Sequence, residues 1–434
     1  MNRFAKILVL AGGCVLAASC TSLTIQPTRA PNAMDTSMSS YREANQDRYI
    51  IVTMTDAVHE QLVHGERVDR EAELPPLYAG FLSSLARTYG LRRVADWPLN
   101  SLAVRCFVFE VPDAAQRDTV IAALSRERFV ETAQRLSTYF TTSSAQSEPT
   151  AAGSAGDPYR NLQHGFAEMD VGTAQRWATG KSVKVAVIDT GLDTRHPELK
   201  QRVTGIRNFV DRDTRAFNSD IHGTAMAGVI AAASNNGVGL TGVAPEADIL
   251  GFKACWQKDA QDRSARCSTF TLAKAVNFAI DQAVDVINLS LGGPPDPLLT
   301  RLVNKAIERN IIVIGAVSPD YPGGFPAGVQ GVIAVTNKPT TDADAKQVVS
   351  APGNQVLSTK PQREYDFYSG SSLSAAHISG LAALIRQRKP HLSGNLVKEL
   401  IVTTAEPESH AANACRALAR VVESGGTCEQ SSRR

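Results

Sequence analysis

The chain has 434 residues, which is enough for two or three domains of about 150 residues each. Its 43% hydrophobic and 20% charged residues are close to the globular average, which excludes a fibrous protein, a polytopic membrane protein and a chain disordered throughout. Forty-five basic and 43 acidic side chains leave a net charge of +2, so we expect no nucleic-acid partner.

The first 19 residues have the pattern of a secretory signal. Arg3 and Lys6 precede an apolar run over 7–18, which is too short to span a membrane because spanning takes about 20 residues. The run ends in Leu-Ala-Ala-Ser before Cys20 and resembles the bacterial lipobox, in which the cysteine is acylated after cleavage. The alternative is an ordinary cleaved signal. We therefore predict export, either to the bacterial periplasm or a membrane through a lipid on Cys20, or else secretion.

Composition divides the rest of the N-terminal half into three parts. We predict a tether over 20–47, a compact domain over 48–139 and an exposed linker over 140–157 that is mostly Thr, Ser, Ala, Gly and Pro. Strand-like and helical segments in the compact domain follow the order βαββαβ. That order is typical of a small ferredoxin-like α+β domain.

A larger domain is predicted over 158–404, followed by a C-terminal tail over 405–434. Runs rich in Val and Ile without polar alternation lie at 183–188, 247–254, 284–289, 311–317 and 332–336. Such runs suit strands buried on both faces. Helical segments between them indicate an α/β fold with a doubly wound, mostly parallel sheet and a ligand site at the carboxyl ends of its strands.

Three segments carry side chains suited to amide hydrolysis. Asp189 ends an apolar strand, His222 opens a helical segment, and Ser372 precedes another helical segment. Hydrolysis needs a nucleophile, a base that takes its proton and a carboxylate that orients the base. Each residue alone has a structural interpretation, as a turn former, a buried histidine or a helix cap. In the order Asp, His, Ser they resemble the subtilisin-like serine proteases, the subtilases.

The resemblance covers nearly all of 158–404 and implies a serine endopeptidase that hydrolyses polypeptides through an acyl-enzyme. It assigns the orienting carboxylate to Asp189, the general base and acid to His222, and the nucleophile to Ser372. The domain over 48–139 resembles the family's propeptide, which implies an intramolecular inhibitor and folding template. The alternative is a permanent N-terminal partner-binding domain.

The stretch that follows the apolar run 284–289 also resembles the family. Ser290, Leu291 and Gly292 lie in a segment similar to the strand whose backbone pairs with an extended substrate, so we expect these residues to bind substrate. The resemblance implies no required cofactor and leaves calcium open. Glu198 and Asn236 match positions near a calcium site in some relatives.

One departure concerns the group that stabilises the oxyanion. Subtilases usually supply an Asn side chain where this sequence reads Ser318-Pro319-Asp320. Proline has no N–H to donate, and Asp320 can donate only when it is protonated. We expect Asp320 to be the donor of a slowed enzyme. The alternative function is a catalytically impaired, protease-like binding or scaffolding protein.

Export makes disulfides possible. Close spacing favours the pairs Cys255–Cys267 and Cys415–Cys428 among the three connectivities that four cysteines allow. Cys106 lies in an apolar run and is expected to be a buried free thiol. We expect no zinc site, because no CxxC or HxxxH spacing accompanies these cysteines.

Overall fold

The structure is a computed structural model, and it describes residues 46–55, 76–142, 144–146, 157–211, 213–257, 265–339, 348–407, 409–422 and 427–428. The predicted signal, Cys20 and nearly all of the predicted tether lie outside the described residues. Within the described part of the chain, no helix combines the length and the hydrophobicity that a membrane crossing requires.

The N-terminal region is an antiparallel sheet with two helices. In chain order its elements are β1 (Tyr49–Thr55), α1 (Pro76–Tyr89), β2 (Arg92–Leu99), β3 (Val104–Glu110), α2 (Arg117–Leu124) and β4 (Val130–Arg135). The strands lie in the order β2-β3-β1-β4, with antiparallel pairing throughout. Because side chains alternate along a strand, Ile50 and Val52 pack with Leu85 of α1, whereas Ile51 and Val108 face the second region.

The second region contains the remaining elements. In chain order they are β5 (Thr138–Thr141), β6 (Ser144–Gln146), α3 (His164–Glu168), α4 (Val171–Ala174), β7 (Lys184–Asp189), β8 (Val203–Asn208), α5 (Thr214–Ser219), α6 (Ile221–Ala231), β9 (Asp248–Lys253), β10 (Cys255–Gln257), β11 (Ala265–Ser268), α7 (Thr269–Asp281), β12 (Val286–Leu289), β13 (Leu291–Gly292), α8 (Pro297–Glu308), β14 (Ile312–Ala316), β15 (Ile333–Thr336), β16 (Val348–Ser350), β17 (Val356–Lys360), β18 (Glu364–Ser369), α9 (Ser371–Arg388), α10 (Gly394–Thr403) and α11 (Ala414–Ala419).

The core of the second region is a seven-stranded parallel sheet in the order β16-β15-β14-β12-β7-β9-β8. Its central strands β12 and β14 are buried at every residue, because helices cover both faces of the sheet. The predicted fold class is therefore confirmed: a parallel sheet flanked by helices, preceded by a separate antiparallel-sheet region.

The structure differs from the predicted exposed linker at both of its ends. Strand β5 lies between β11 and β13, and Thr141 at its end is buried. At the other end, Asp157 is buried and accepts backbone N–H groups from Asn235 and Asn236. Polar composition suggested exposure, but these residues bond to strands and loops that are distant in the sequence.

Both predicted disulfides are confirmed, and Cys106 is a buried free thiol. Cys255 and Cys267 join β10 to β11 at directly paired positions. Cys415, in α11, bonds to Cys428, and α11 packs against α4, α9 and α10. The first part of the predicted tail thus belongs to the main core.

Candidate active site

Strand β7 and helix α6 bring Asp189 and His222 together. Asp189 is the last residue of β7 and His222 the second of α6, and both are buried. Nδ1 of His222 lies 2.8 Å from Oδ1 and 2.9 Å from Oδ2 of Asp189. The helix comes this close because residue 223 is glycine: a Cβ there would lie 2.0 Å from the carbonyl oxygen of Gly191. Because a carboxylate only accepts, the proton is on Nδ1, and the lone pair is on Nε2.

A buried ion pair holds the start of α6. Nζ of Lys253, at the end of β9, donates to the carboxylate of Asp220 and to the carbonyl oxygen of Thr190. Asp220 directly precedes α6, and Thr190 directly follows Asp189, so the ammonium joins both segments that carry the acid and the imidazole. The sequence analysis missed this pair, although a lysine inside the apolar run 247–254 is a signal that could have revealed it.

Ser372 is the second residue of α9 and is completely buried. Gly370, with φ of 148°, lets the chain turn from β18 into this helix. The Ser372 hydroxyl donates to the carbonyl oxygen of Ser290 at 2.9 Å and accepts the N–H of Thr142 at 3.2 Å. Within the described residues, Nε2 of His222 has no hydrogen-bond partner. The structure therefore joins Asp189 to His222 directly, while the hydroxyl of Ser372 is bonded to Ser290 and Thr142.

A buried polar network ties Ser290 to helix α9. Nδ2 of Asn288 donates to Oγ of Ser290 at 2.9 Å, and that hydroxyl donates to the carbonyl oxygen of Ser372 at 3.0 Å. Ser379, two turns into α9, donates to Oδ1 of Asn288 at 2.9 Å. The network fixes the carboxyl end of β12 against the residue proposed as nucleophile. The sequence analysis gave Ser379 no role.

Leu291 and Gly292 pair with a strand of the same chain. In the antiparallel register, Leu291 lies opposite Thr141 and Gly292 opposite Phe140. On its other side β5 pairs with β11, where Arg266 lies opposite Phe140. The expected substrate-binding segment thus has the geometry to bind an extended peptide through its backbone, and β5 is bound there.

Asp320 lies in an exposed turn after β14. The described part of the chain contains no hydrogen bond to its carboxylate, so its role as oxyanion donor stays a prediction. Ser318 of the same turn is buried, and its Cβ would lie 2.4 Å from a Cβ added at Gly292. Oγ of Ser371 donates to the carbonyl oxygen of Val317 at 2.7 Å, which fixes the start of α9 to this turn.

The residues that match a calcium site do not fit a cation. Oε1 of Glu198 accepts the N–H of Leu240 at 2.9 Å and the hydroxyl of Tyr365 at 3.1 Å, and Oε2 accepts Nδ2 of Asn236 at 2.8 Å. Oδ1 of Asn236 accepts the N–H of Val238 at 3.0 Å. Hydrogen-bond donors thus point at the oxygens that calcium would need.

A second histidine lies near Ser372 but is unsuited to act as the base. His377, in the same helix, bonds through Nδ1 to the carbonyl oxygen of Leu373 at 2.9 Å. Burial lowers the pKa of His377 to about 4, so this ring is neutral at physiological pH. Its contacts are those of a structural residue within α9.

Comparison with known proteins agrees with this geometry. A model described as the Subtilase family matches residues 180–421, more than half of the chain. The chain is 37% identical over 234 residues to the Major intracellular serine protease of Bacillus subtilis (strain 168), covering 49% of this chain and 72% of that protein. It is 32% identical over 263 residues to Thermitase of Thermoactinomyces vulgaris, covering 58% of this chain and 91% of that protein.

Among solved structures, fervidolysin from Fervidobacterium pennivorans, described as a keratinolytic enzyme related to subtilisin, matches with a TM-score of 0.64. The match covers 85% of this chain and 60% of that chain at 19% identity, so it supports the fold alone. The matched family model includes the strand that ends at Asp189 and the helices that begin beside His222 and Ser372. The chain therefore belongs to the subtilase family of serine endopeptidases.

Proposed function

We propose that this subtilase is an exported endopeptidase, made as a precursor, in which Asp189, His222 and Ser372 form the catalytic triad. The observation that carries the proposal is the contact of both Asp189 oxygens with Nδ1 of His222, at 2.8 and 2.9 Å. This contact orients the imidazole and stabilises its cation, and it leaves Nε2 as the basic nitrogen.

The reaction follows from these positions. The Ser372 hydroxyl turns from the carbonyl oxygen of Ser290 to Nε2 of His222, which takes its proton as Oγ bonds to the substrate carbonyl carbon. The proton then passes to the leaving nitrogen as the C–N bond breaks, and the acyl group stays on Oγ. Water then attacks the acyl carbon while His222 takes its proton, and His222 returns this proton to Oγ of Ser372 as the acyl–Oγ bond breaks and the carboxylic acid product leaves. The N–H of Ser372, in the first turn of α9, stabilises the oxyanion.

The N-terminal region is proposed to inhibit the precursor by filling the cleft. Strand β5 lies between β11 and β13, and the N–H of Thr142 lies 3.2 Å from Oγ of Ser372. Oγ1 of Thr142 lies 2.8 Å from the same oxygen. We therefore propose the bond after Thr142, within the predicted linker, as the processing site.

Export is supported by the basic and apolar start of the sequence and by the two disulfides, which persist in oxidising compartments. We propose the bacterial periplasm as the location, with a lipid anchor on Cys20 or, without it, release as a secreted protein. Several acyl chains would be needed for stable anchoring, because one chain holds a protein only marginally.

The test is self-processing of the full-length precursor. We expect the wild-type chain to divide into two fragments, with a new N-terminus directly after Thr142, and Ser372→Ala to remain intact because it lacks the nucleophile. Ser374→Ala, which removes a buried hydroxyl of the same helix, serves as the control and should still divide. N-terminal sequencing and labelling by a fluorophosphonate provide the measurements. A wild-type precursor that stays intact and unlabelled would favour the catalytically impaired alternative.

A further inference from the structure

The phenol of Tyr139 fills a pocket beside the proposed cleft. Tyr139 is fully buried in β5, and its ring lies edge-on to Phe325 with 5.6 Å between centroids. Residue 293 is glycine, and a Cβ there would lie 2.3 Å from Cδ1 of Tyr139. The hydroxyl at the end of the ring donates to Oδ2 of Asp296 at 2.9 Å. The pocket is thus apolar along its walls and acidic at its end.

Asp296 is buried and accepts four hydrogen bonds. Two donors belong to the second region: Oγ1 of Thr269, 2.7 Å from Oδ2, and the N–H of Leu299, 3.0 Å from Oδ1. The other two precede the proposed processing site: Tyr139 on Oδ2 and Nε2 of Gln134, 2.8 Å from Oδ1. When the N-terminal region leaves, Asp296 keeps the hydrogen bonds from Thr269 and Leu299. Its Oδ2, at the end of the pocket, can then accept a hydrogen bond from another side chain.

The register of β5 relates this pocket to the cleaved bond. Phe140 pairs with Gly292 and Thr141 with Leu291, so the N–H of Thr142 reaches Ser372. Tyr139 is then the fourth residue before the bond that follows Thr142. On the opposite side it pairs with Cys267, whose disulfide to β10 fixes that wall of the pocket.

We propose that Asp296 is a specificity-determining residue, which selects tyrosine as the fourth residue before the cleaved bond. The inference rests on the proposed function and deepens it by naming a substrate class. A site built to accept a hydrogen bond rejects a substrate that lacks the donor, because its buried polar group is then left unpaired. The ring of a phenylalanine would fill the same pocket, but Oδ2 of Asp296 would lack the hydrogen bond that the phenol donates.

The test uses the self-processed enzyme and two internally quenched peptides. One has the sequence Tyr-Phe-Thr-Thr-Ser-Ser of residues 139–144, and the other has Phe in the first position. We expect the wild-type enzyme to favour the Tyr peptide by at least about 10-fold in kcat/KM. In Asp296→Ser the ratio should fall to about 2 or less, because the serine hydroxyl can still accept the N–H of Leu299 at the start of α8 but is too short to reach the phenol.

Glu308→Gln, an exposed substitution at the other end of α8, is the control and should keep the wild-type ratio. A wild-type ratio near 1 overturns the inference even if Asp296→Ser does not fold, and so does a ratio that persists in Asp296→Ser. Either result, with the enzyme still labelled by fluorophosphonate, leaves the proposed function intact. An enzyme that neither cleaves nor is labelled contradicts the proposed function and the inference together.

Discussion

At the scale of single residues, the hydroxyl of Ser372 is held away from the proposed base. It donates to the carbonyl oxygen of Ser290, and it accepts the N–H of Thr142, the residue directly after the strand that fills the cleft. The backbone N–H of Ser372 lies in the first turn of α9 and can donate to the oxyanion. The turn after β14, however, has Pro319 and Asp320 where relatives have an Asn. Asp320 can fill the place of that side-chain donor only when it is protonated, since an ionised carboxylate repels an oxyanion.

We predict that Asp320→Asn raises kcat near neutral pH by up to roughly 10²-fold, since an amide donates without needing a proton. The measurement is peptide turnover by the processed enzyme at pH 7. Asp320→Ala is the matched control, because it removes the charge without adding a donor, and its increase should be smaller. Equal or lower turnover in Asp320→Asn would remove Asp320 from the oxyanion site.

At the scale of elements, the loop between α6 and β9 is held by buried carboxylates. Asp157 accepts N–H groups at the start of the loop, and Glu198 accepts Leu240 and Asn236 within it. Subtilases generally need no cofactor, although calcium binding is common among them. In this chain hydrogen bonds hold the same loop, so its stability should depend on the protonation of Glu198.

Burial raises the pKa of Glu198 to about 7, above its ordinary value of 4.5. Between these values the folded protein keeps a proton that the unfolded chain releases, so the stabilisation is complete below pH 4.5 and is lost as the pH rises through 7. We predict that raising the pH from 5 to 8 lowers the free energy of unfolding relative to Glu198→Gln by at most about 3 kcal/mol.

The measurement is urea denaturation of both chains in the Ser372→Ala background, which prevents autolysis. Glu364→Gln, whose side chain is exposed, is the control and should show the wild-type pH dependence. If the free energy of unfolding of Glu198→Gln changes with pH as that of the wild type does, then Glu198 is not the group whose titration causes the change.

At the scale of the whole molecule, one hydrophobic cluster contains residues of both regions and joins them. The face of the N-terminal sheet opposite α1 packs on α7 and α8. Trp97 meets Phe270 edge-on with 4.3 Å between centroids, and Ser101 bonds to Asn277 of α7 through both its N–H and its hydroxyl. Docking of the sheet on these helices supports the strand that fills the cleft.

We predict that Trp97→Ala weakens this docking by about 3–5 kcal/mol, because truncating a buried aromatic ring leaves a cavity. Peptide hydrolysis should then appear sooner after self-processing, because the cleaved N-terminal region dissociates faster. The lag before full activity is the measurement. Arg87→Ala, an exposed change on α1, should keep the wild-type lag. A lag unchanged by Trp97→Ala would show that β5 alone holds the inhibitor.

The sequence by itself determined the fold class and the three segments that carry Asp189, His222 and Ser372, and its cysteine spacing favoured both disulfides. These features are local: hydrophobic runs, helix starts and cysteine spacing are encoded over a few residues. The contact of His222 with Asp189 bridges 33 positions of sequence, and only the family resemblance suggested it in advance.

Only the tertiary structure decided what β5 and Asp296 do. Residues 140 and 141 were predicted to belong to an exposed linker, yet they form the end of β5 because β11 and β13, more than 100 positions away, supply its backbone partners. Asp296 caps the start of α8, and the same carboxylate also accepts the phenol of Tyr139. A local pattern cannot specify such contacts, because they depend on which distant segments the folded core brings together.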